Sequence, residues 1–329
     1  MKLLNVFCQQ SRHMSCKVSV VIAVYKVEQY IAQCAESLFS QTWKDMEFVF
    51  VDNNTPDDSM KILEETLRKF PERKDQTIMI QEKQQGLGPV RISGSRMTTG
   101  DYVIHVDSDD WVEPDFIEKL VSMALAEDAD VVYCDYFKEY EGKHARTKTG
   151  FQPDLPDTDG ITALYAIHRG KIKAFMCNKL VRRTLYDFDT IVTPVCNMHE
   201  DIVIQTQLLY RARKVVHVPL PLYHYRRRRA GAVTAGSVLR NRKKSAVGLF
   251  HLYNSLPDTA SPLDYIRYDL ATRAGWYSVC SLDSSVLRDN PEAVRYLSGI
   301  SVEKGHRVSP FGLWITRMIC RVLNGKISG

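Results

Sequence analysis

Three carboxylates fall within four residues at Asp107-Ser108-Asp109-Asp110, directly after the apolar run Tyr102–Val106. Carboxylates held this close repel one another unless a cation relieves the repulsion. Oxygen donors of this type suit Mg2+ or Mn2+, ions that also bridge to the phosphate oxygens of a substrate. The competing reading is an acidic turn that only caps the helix expected from Pro114. A second acidic pair, Glu200-Asp201, opens a helical stretch over residues 200–212. There the positive end of the helix dipole favours an ionised carboxylate, although acidic pairs at helix starts occur in any fold. Gly86-Leu87-Gly88 is too short for a phosphate loop and reads as a turn ahead of Arg91.

The elements around these residues follow from hydrophobic spacing. The stretch Val18–Val24 is a continuous run dominated by β-branched residues, and residues 47–51 (EFVFV) read as a second buried strand. Such runs predict strands buried on both faces. Between them Ile31, Cys34, Ala35, Leu38 and Phe39 recur at helical spacing. Thr55-Pro56-Asp57-Asp58 carries N-cap signals for a further helix. Shorter strands are expected at 77–80, 102–106, 130–134 and 215–218, and helices at 114–126, 161–167 and 200–212. Strands separated by helices imply a parallel α/β sheet with right-handed crossovers. Ligands bind such sheets at the carboxyl ends of the strands. Tyr25, Asp52, Asn53 and the 107–110 cluster all fall at those ends. Beyond about residue 240 the chain reads as mainly helical.

Composition sets the outer limits. With 329 residues, 44% hydrophobic and 25% charged, the chain suits one large soluble domain and excludes collagen, coiled coil and global disorder. No run reaches the 18–20 apolar residues that would span a bilayer. The net charge is +5, but Gln205–Ser245 holds eleven Lys or Arg and no acid, leaving the remainder acidic. A local excess of this kind suits an anionic partner such as a phosphate-bearing ligand. The eight cysteines show no CxxC pair and read as reduced thiols of a cytoplasmic protein. Residues 1–16 read as a loose tail.

Several ordered segments together resemble the family 2 glycosyltransferases. They are VSVVIAVYKVEQYI at 18–31, SLFSQTWKDMEFVFVDN at 37–53, RISGSRMTTGDYVIHVDSDDW at 91–111, NKLVRR at 178–183, HEDI at 199–202 and PLYHYRRRRAGAVT at 221–234. The likeness covers about two thirds of the chain. It implies the GT-A fold: a mostly parallel, Rossmann-like α/β sheet flanked by helices, here with a helical C-terminal extension. It also implies an inverting transfer of a sugar from a nucleotide-sugar donor, most simply a UDP-hexose or UDP-HexNAc. The acceptor would be a glycan or lipid-linked hydroxyl in surface polysaccharide or cell-envelope synthesis, and the cofactor a divalent metal, Mn2+ or Mg2+. By the same likeness residues 17–137 form the nucleotide-sugar half, 138–238 the acceptor and base half, and 239–329 the extension.

Carried over position by position, the resemblance places Tyr25 and the backbone at Ala23 beside the nucleobase, with Asp52 and Asn53 facing uracil and ribose. Arg91, Asp107 and Ser108 join the donor site, Asp109 is the direct metal ligand, and Asp201 is the catalytic base beside Glu200. Lys179, Arg226 and Arg228 fall near the phosphates or a mobile flap. His224 is in reach of the metal, against the plainer reading of a packed histidine. Two positions depart from the pattern: Asn53 stands where the family usually has an acid, and Ile92 where it often has Asn. A neutral amide accepts from uracil N3–H more weakly than a carboxylate.

Other readings are weaker. A nucleotidyltransferase needs a Gly-rich basic loop after the first strand, where this chain has Tyr25-Lys26-Val27-Glu28. A non-catalytic sugar-nucleotide-binding subunit fits Asn53 but not the retained Asp107, Asp109 and Asp201. Nucleic-acid binding lacks an interleaved aromatic platform. The C-terminal segment, with Phe311, Leu313, Trp314, Ile315, Met318, Ile319, Val322 and Leu323 among Arg317, Arg321 and Lys326, fits either a helix docked on the body or peripheral contact with a bilayer.

Overall fold

A computed structural model describes residues 15–140, 146–155, 157–193, 199–227, 238–255, 264–282, 285–299 and 308–327. In chain order the first half comprises β1 (Val18–Val24), α1 (Ile31–Phe39), β2 (Met46–Asp52), α2 (Ser59–Leu67), β3 (Thr77–Gln81), α3 (Leu87–Arg96), β4 (Tyr102–Asp107), the two-residue β5 (Trp111–Val112) and α4 (Phe116–Glu127). The second half adds β6 (Val131–Tyr140), β7 (Arg146–Gly150), α5 (Gly160–His168), β8 (Lys179–Arg182), α6 (Glu200–Arg211) and β9 (Val215–Arg227). Five helices follow: α7 (Val238–Ser255), α8 (Asp264–Cys280), α9 (Ser285–Arg288), α10 (Pro291–Gly299) and α11 (Pro310–Ile327).

The strands form one sheet in the order β3-β2-β1-β4-β8-β6-β9-β5, with β7 paired to β6. The β3-β2-β1-β4 half is parallel, as the alternation of strands and helices requires. Beyond β4 the sheet becomes mixed, because β8 runs antiparallel to both β4 and β6. Side chains of β1 and β2 divide between two cores. Val20, Ile22, Phe48 and Phe50 point to one face, while Val21, Val49 and Val51 point to the other. Burial on both faces explains why these strands read as continuous apolar runs rather than alternating ones.

Register brings the polar strand ends together. Asp52 pairs with Val24, and Asp107 pairs with Ala23. Asp52 and Asp107 therefore flank the end of β1, each one strand away, or about 4.8 Å in the hydrogen-bonding direction. The C-terminal extension is continuous with this body. Ile202, Val203 and Leu208 of α6 share a core with Ala246, Phe250, Leu270, Leu297 and Cys320 of the extension. No helix among the described residues is long and apolar enough to cross a membrane.

Four local expectations change. The helix expected from Thr55 starts at Ser59, because Thr55 and Asp57 are used otherwise. The Thr55 hydroxyl accepts from the Lys26 N–H at 2.8 Å, and Asp57 accepts from the Ser59 hydroxyl at 2.6 Å. Strand β9 runs on past Val218 through two prolines, and a register shift in β6 at Cys134–Tyr136 accommodates them. Gly86 is followed by a full helix, α3, rather than a simple turn. Ser15 and Cys16, assigned to the tail from sequence, are described, and Cys16 is buried; residues 1–14 lie outside the described residues.

Helix α3 lies hard against the sheet because Gly94 has no side chain. A Cβ there would sit 2.5 Å from Val21 Cγ1 and 2.9 Å from Val51 Cγ2. Gly94→Ala is therefore expected to destabilise the protein by about 1–3 kcal/mol through overpacking. A thermal midpoint equal to wild type would show that α3 does not pack at this distance.

Candidate active site

The acidic turn hangs from the end of β4 and is tied down at both sides. The Ser108 hydroxyl donates to the Ala23 carbonyl at the end of β1, at 2.6 Å. Buried Asp110 accepts from the Tyr223 hydroxyl at 2.7 Å and from the Arg226 backbone N–H at 2.8 Å. The Arg226 guanidinium donates to the Asp109 carbonyl at 2.7 Å and to Gln33, and lies 4.7 Å from the ring centres of both Tyr30 and Trp111. The three aspartates thus differ in environment. Burial, reinforced by the charges of Asp109 and Asp107, pushes the Asp110 carboxyl well above the usual range. Asp107 and Asp109 are only partly buried.

Asp107 is joined to α6 through Arg91. The buried Arg91 guanidinium lies 2.9 Å from Asp107 and 3.9 Å from Glu200. Burial alone would lower its pKa, but the two carboxylates more than reverse this and fix the cation in its charged form. Arg91 Nε is buried without a hydrogen-bond partner. Glu200 and Asp201 open α6, preceded by His199 in the left-handed conformation (φ 64°). Burial and the neighbouring Asp201 push Glu200 up to about 7. Burial also raises Asp201, against the Ile202 N–H, which donates to it at 2.7 Å, and the opposing charges of Arg91 and Lys179.

The loop expected beside the nucleobase is held by Asn53. Its amide nitrogen donates to the carbonyls of Glu82 and Gln84, each at 2.9 Å, and its oxygen accepts from the Gly86 N–H at 2.9 Å. An acid could not make the two donated bonds, so the amide here holds the 82–86 loop. Asp52 accepts from the Thr55 N–H at 2.8 Å. Tyr25 is exposed at the end of β1, with the Lys26 ammonium 5.3 Å from its ring centre.

Lys179, expected near the phosphates or a flap, is buried. Its three ammonium hydrogens face the carbonyls of Lys173 and Phe175 and the Asn178 amide oxygen at 2.7–3.0 Å, and burial lowers it to about 8. The contacts describe a structural lysine beneath Asp201. His224 is likewise occupied: each ring nitrogen lies 2.8 Å from a carboxylate, Glu139 on one side and Glu113 on the other, and the ring stacks between Trp111 and Phe137. That packing corrects the placement of His224 toward a metal, since neither nitrogen faces away from its carboxylate. Arg226 anchors the acidic turn rather than moving with a flap, and Arg228 lies outside the described residues.

For a divalent cation, the carboxylate oxygens of Asp107 and Asp109 are the fitting donors. Asp107, Asp110 and Cys177 also place ligand atoms within 4.8 Å of one another. That set suits a hard cation poorly. Both Asp110 oxygens are already engaged, and burial keeps Cys177 a thiol, raised well above its usual range.

Sequence reasoning missed two supports of α6, the helix that carries Asp201. His199 stacks on Tyr277 of α8, with ring centres 6.3 Å apart and planes 12° from parallel. His168 of α5 pairs with Asp269 of α8 at 3.0 Å and with Thr206 of α6 at 3.3 Å, all buried. Burial would raise Asp269, yet the His168 contact and the Arg273 charge hold it below the usual range. Each residue reads alone as an ordinary helix position, and only the packing of α8 on α5 and α6 brings them together.

The sequence model of glycosyl transferase family 2 matches residues 19–187, just over half of the chain. The putative glycosyltransferase EpsH of Bacillus subtilis is 32% identical over 212 residues, which is 64% of this chain and 60% of EpsH. The chain therefore matches less than two thirds of that relative's length. Among solved structures, S. aureus TarS 1-349 in complex with UDP-GlcNAc superposes with a TM-score of 0.61 at 17% identity, covering 86% of this chain and 80% of TarS 1-349. The mannosyltransferase PcManGT from Pyrobaculum calidifontis, in complex with GDP-Man and Mn2+, gives 0.54 at 13% identity, covering 98% and 93%. The sheet with its carboxyl-edge acidic turn is thus the GT-A arrangement, and the chain belongs to glycosyl transferase family 2.

Proposed function

We propose that the chain transfers a hexosyl or N-acetylhexosaminyl group from a UDP-sugar to a hydroxyl of a glycan or lipid-linked acceptor, with inversion, in surface polysaccharide or cell-envelope glycan synthesis. The observation that carries this reading is the Asp107–Arg91–Glu200 bridge, which sets the acidic turn beside the Asp201 helix start. A UDP-linked donor is favoured by the likeness to TarS 1-349, whose structure holds UDP-GlcNAc.

In this reaction the acceptor oxygen bonds to the anomeric carbon as the bond to the diphosphate oxygen breaks, and the electron pair leaves with the diphosphate. Asp201 takes the hydroxyl proton on the side opposite the leaving group. A single displacement inverts the anomeric centre. Asp109, with Asp107, would hold a divalent cation, which when bound supplies positive charge against the developing charge of the diphosphate. Arg91 holds the two ends of the site in register. Its unpartnered Nε is a donor available in the same neighbourhood. Tyr25, Asp52, Ser108 and the Ala23 backbone line the donor side. A non-catalytic sugar-nucleotide-binding subunit is the alternative, and transfer activity separates the two.

The deciding measurement is transfer and hydrolysis with a panel of UDP-sugars and Mn2+. Asp201→Asn should lower kcat by about 10²–10⁴, the range of general-base contributions, while leaving the donor KM nearly unchanged. Transfer at the wild-type rate would remove Asp201 as the base. Asp109→Ala should lower kcat/KM by about 10²–10³ and abolish the thermal stabilisation by UDP that depends on Mn2+. Retained Mn2+-dependent stabilisation would exclude it as a ligand.

A pH dependence follows from Glu200. In the folded protein it keeps its proton to about 7, against 4.5 ordinarily. The folded state therefore binds the proton more tightly than the unfolded chain, and this contribution to stability is lost as pH rises through about 7. In metal-free protein, Glu200→Gln should flatten the decline in thermal midpoint across that interval. An unchanged slope would place the titration elsewhere.

A further inference from the structure

The last described helix, α11, has two unlike faces. Leu313, Thr316 and Cys320 are buried. The buried side approaches α8 closely enough that a Cβ on Gly275 would meet Thr316 Cγ2 at 2.7 Å, and one on Gly312 would meet the Trp276 ring at 3.2 Å. The helix is therefore seated firmly on the body. Its outer face carries Phe311, Trp314, Met318 and Val322, exposed by 66%, 52%, 48% and 58%. Their spacing of three, four and four residues forms one continuous stripe, while Phe311 and Trp314 stack with centres 6.1 Å apart.

Large apolar side chains aligned this way mark an interaction surface rather than scattered exposure. The charges beside the stripe indicate the partner. Arg317 and Arg321 each precede a stripe residue by one position, which places them about 100° round the helix along one flank; Arg321 is exposed, with its Nε donating to the Ser298 carbonyl at 3.1 Å, and Arg317 is half-buried, with its Nε enclosed. Residues 304–329 contain five Lys or Arg and no acid. An apolar ridge with Trp and Phe, edged by arginines, matches a helix lying in the headgroup region of an anionic bilayer, with its apolar side sunk about 5–10 Å.

We propose that α11 docks the protein on the surface of an anionic lipid bilayer through Phe311, Trp314, Met318 and Val322, with Arg317 and Arg321 against the headgroups. The attachment is peripheral, and it does not depend on the sugar-transfer reading. The full chain should co-sediment with vesicles of phosphatidylglycerol and phosphatidylethanolamine, and at least ten-fold less with phosphatidylcholine alone. The double variant W314S/M318S should reduce partitioning at least ten-fold while keeping the wild-type thermal midpoint and rate on a water-soluble acceptor. If that variant does not fold, F311S alone, at the most exposed of the four positions, should still weaken partitioning measurably. R321Q should weaken binding to the anionic vesicles and reduce its salt dependence. Wild-type protein that remains in the supernatant at every lipid concentration would overturn the proposal. So would a self-associated state in sedimentation velocity that W314S/M318S dissociates while vesicle binding is absent, since the stripe would then face a second copy.

Discussion

A buried guanidinium holds this site in one geometry. Arg91 lies between Asp107, at the end of a sheet strand, and Glu200, at the start of the helix that carries Asp201. Withdrawing a cation from water is costly, and here two carboxylates offset the cost. Removing Asp107 would leave the buried Arg91 cation beside a Glu200 that keeps its proton up to about 7, a loss of about 3–5 kcal/mol. Arg91 therefore links the acidic turn to the start of α6, hydrogen-bonded to Asp107 and within 3.9 Å of Glu200. Helix α3 can present Arg91 there only because Gly94 lets it lie against Val21 and Val51.

Burial sorts the three aspartates of the turn into different roles. Asp110 is enclosed by Tyr223 and the Arg226 backbone, and serves the architecture. Asp107 is committed to Arg91 but only partly buried, and Asp109 is also partly open, with its carbonyl held by the Arg226 side chain. Arg226 is itself clasped between Tyr30 and Trp111. One arginine at the end of β9 thus fixes the backbone of the turn and leaves the carboxylates of Asp107 and Asp109 partly open. Two neighbouring basic groups behave similarly. Lys179 uses its ammonium on backbone carbonyls, and His224 uses both nitrogens on glutamates, so the site's positive charge is mostly structural among the described residues.

The helical extension belongs to the same mechanical unit. Tyr277 stacks against His199, whose left-handed backbone precedes α6, and the buried Asp269–His168–Thr206 contacts tie α8 to α5 and α6. The same extension seats α11 and its outward stripe. The helix that carries the outward stripe and the helix that carries Asp201 therefore share one hydrophobic core.

Much of this was legible in the residues alone. The doubly buried strands β1, β2 and β4 announced themselves as apolar runs, because a strand covered on both faces has no polar alternation to hide it. Their polar ends, Asp52 and Asp107, fell at the carboxyl edge of the sheet. Helix α3 was not legible, since Gly86, Gly88, Pro89 and Gly94 erase helical propensity, and close packing on the sheet overrides that preference. Nor were the second half of β9, interrupted by prolines, or the use of Asn53 to hold a loop. What the linear order determined was the set of chemical groups and the strand ends that carry them. What only the folded chain decided was which charges are spent on one another, because burial and pairing depend on neighbours more than a hundred residues away: Arg91 with Glu200, Asp110 with Tyr223, and His168 with Asp269.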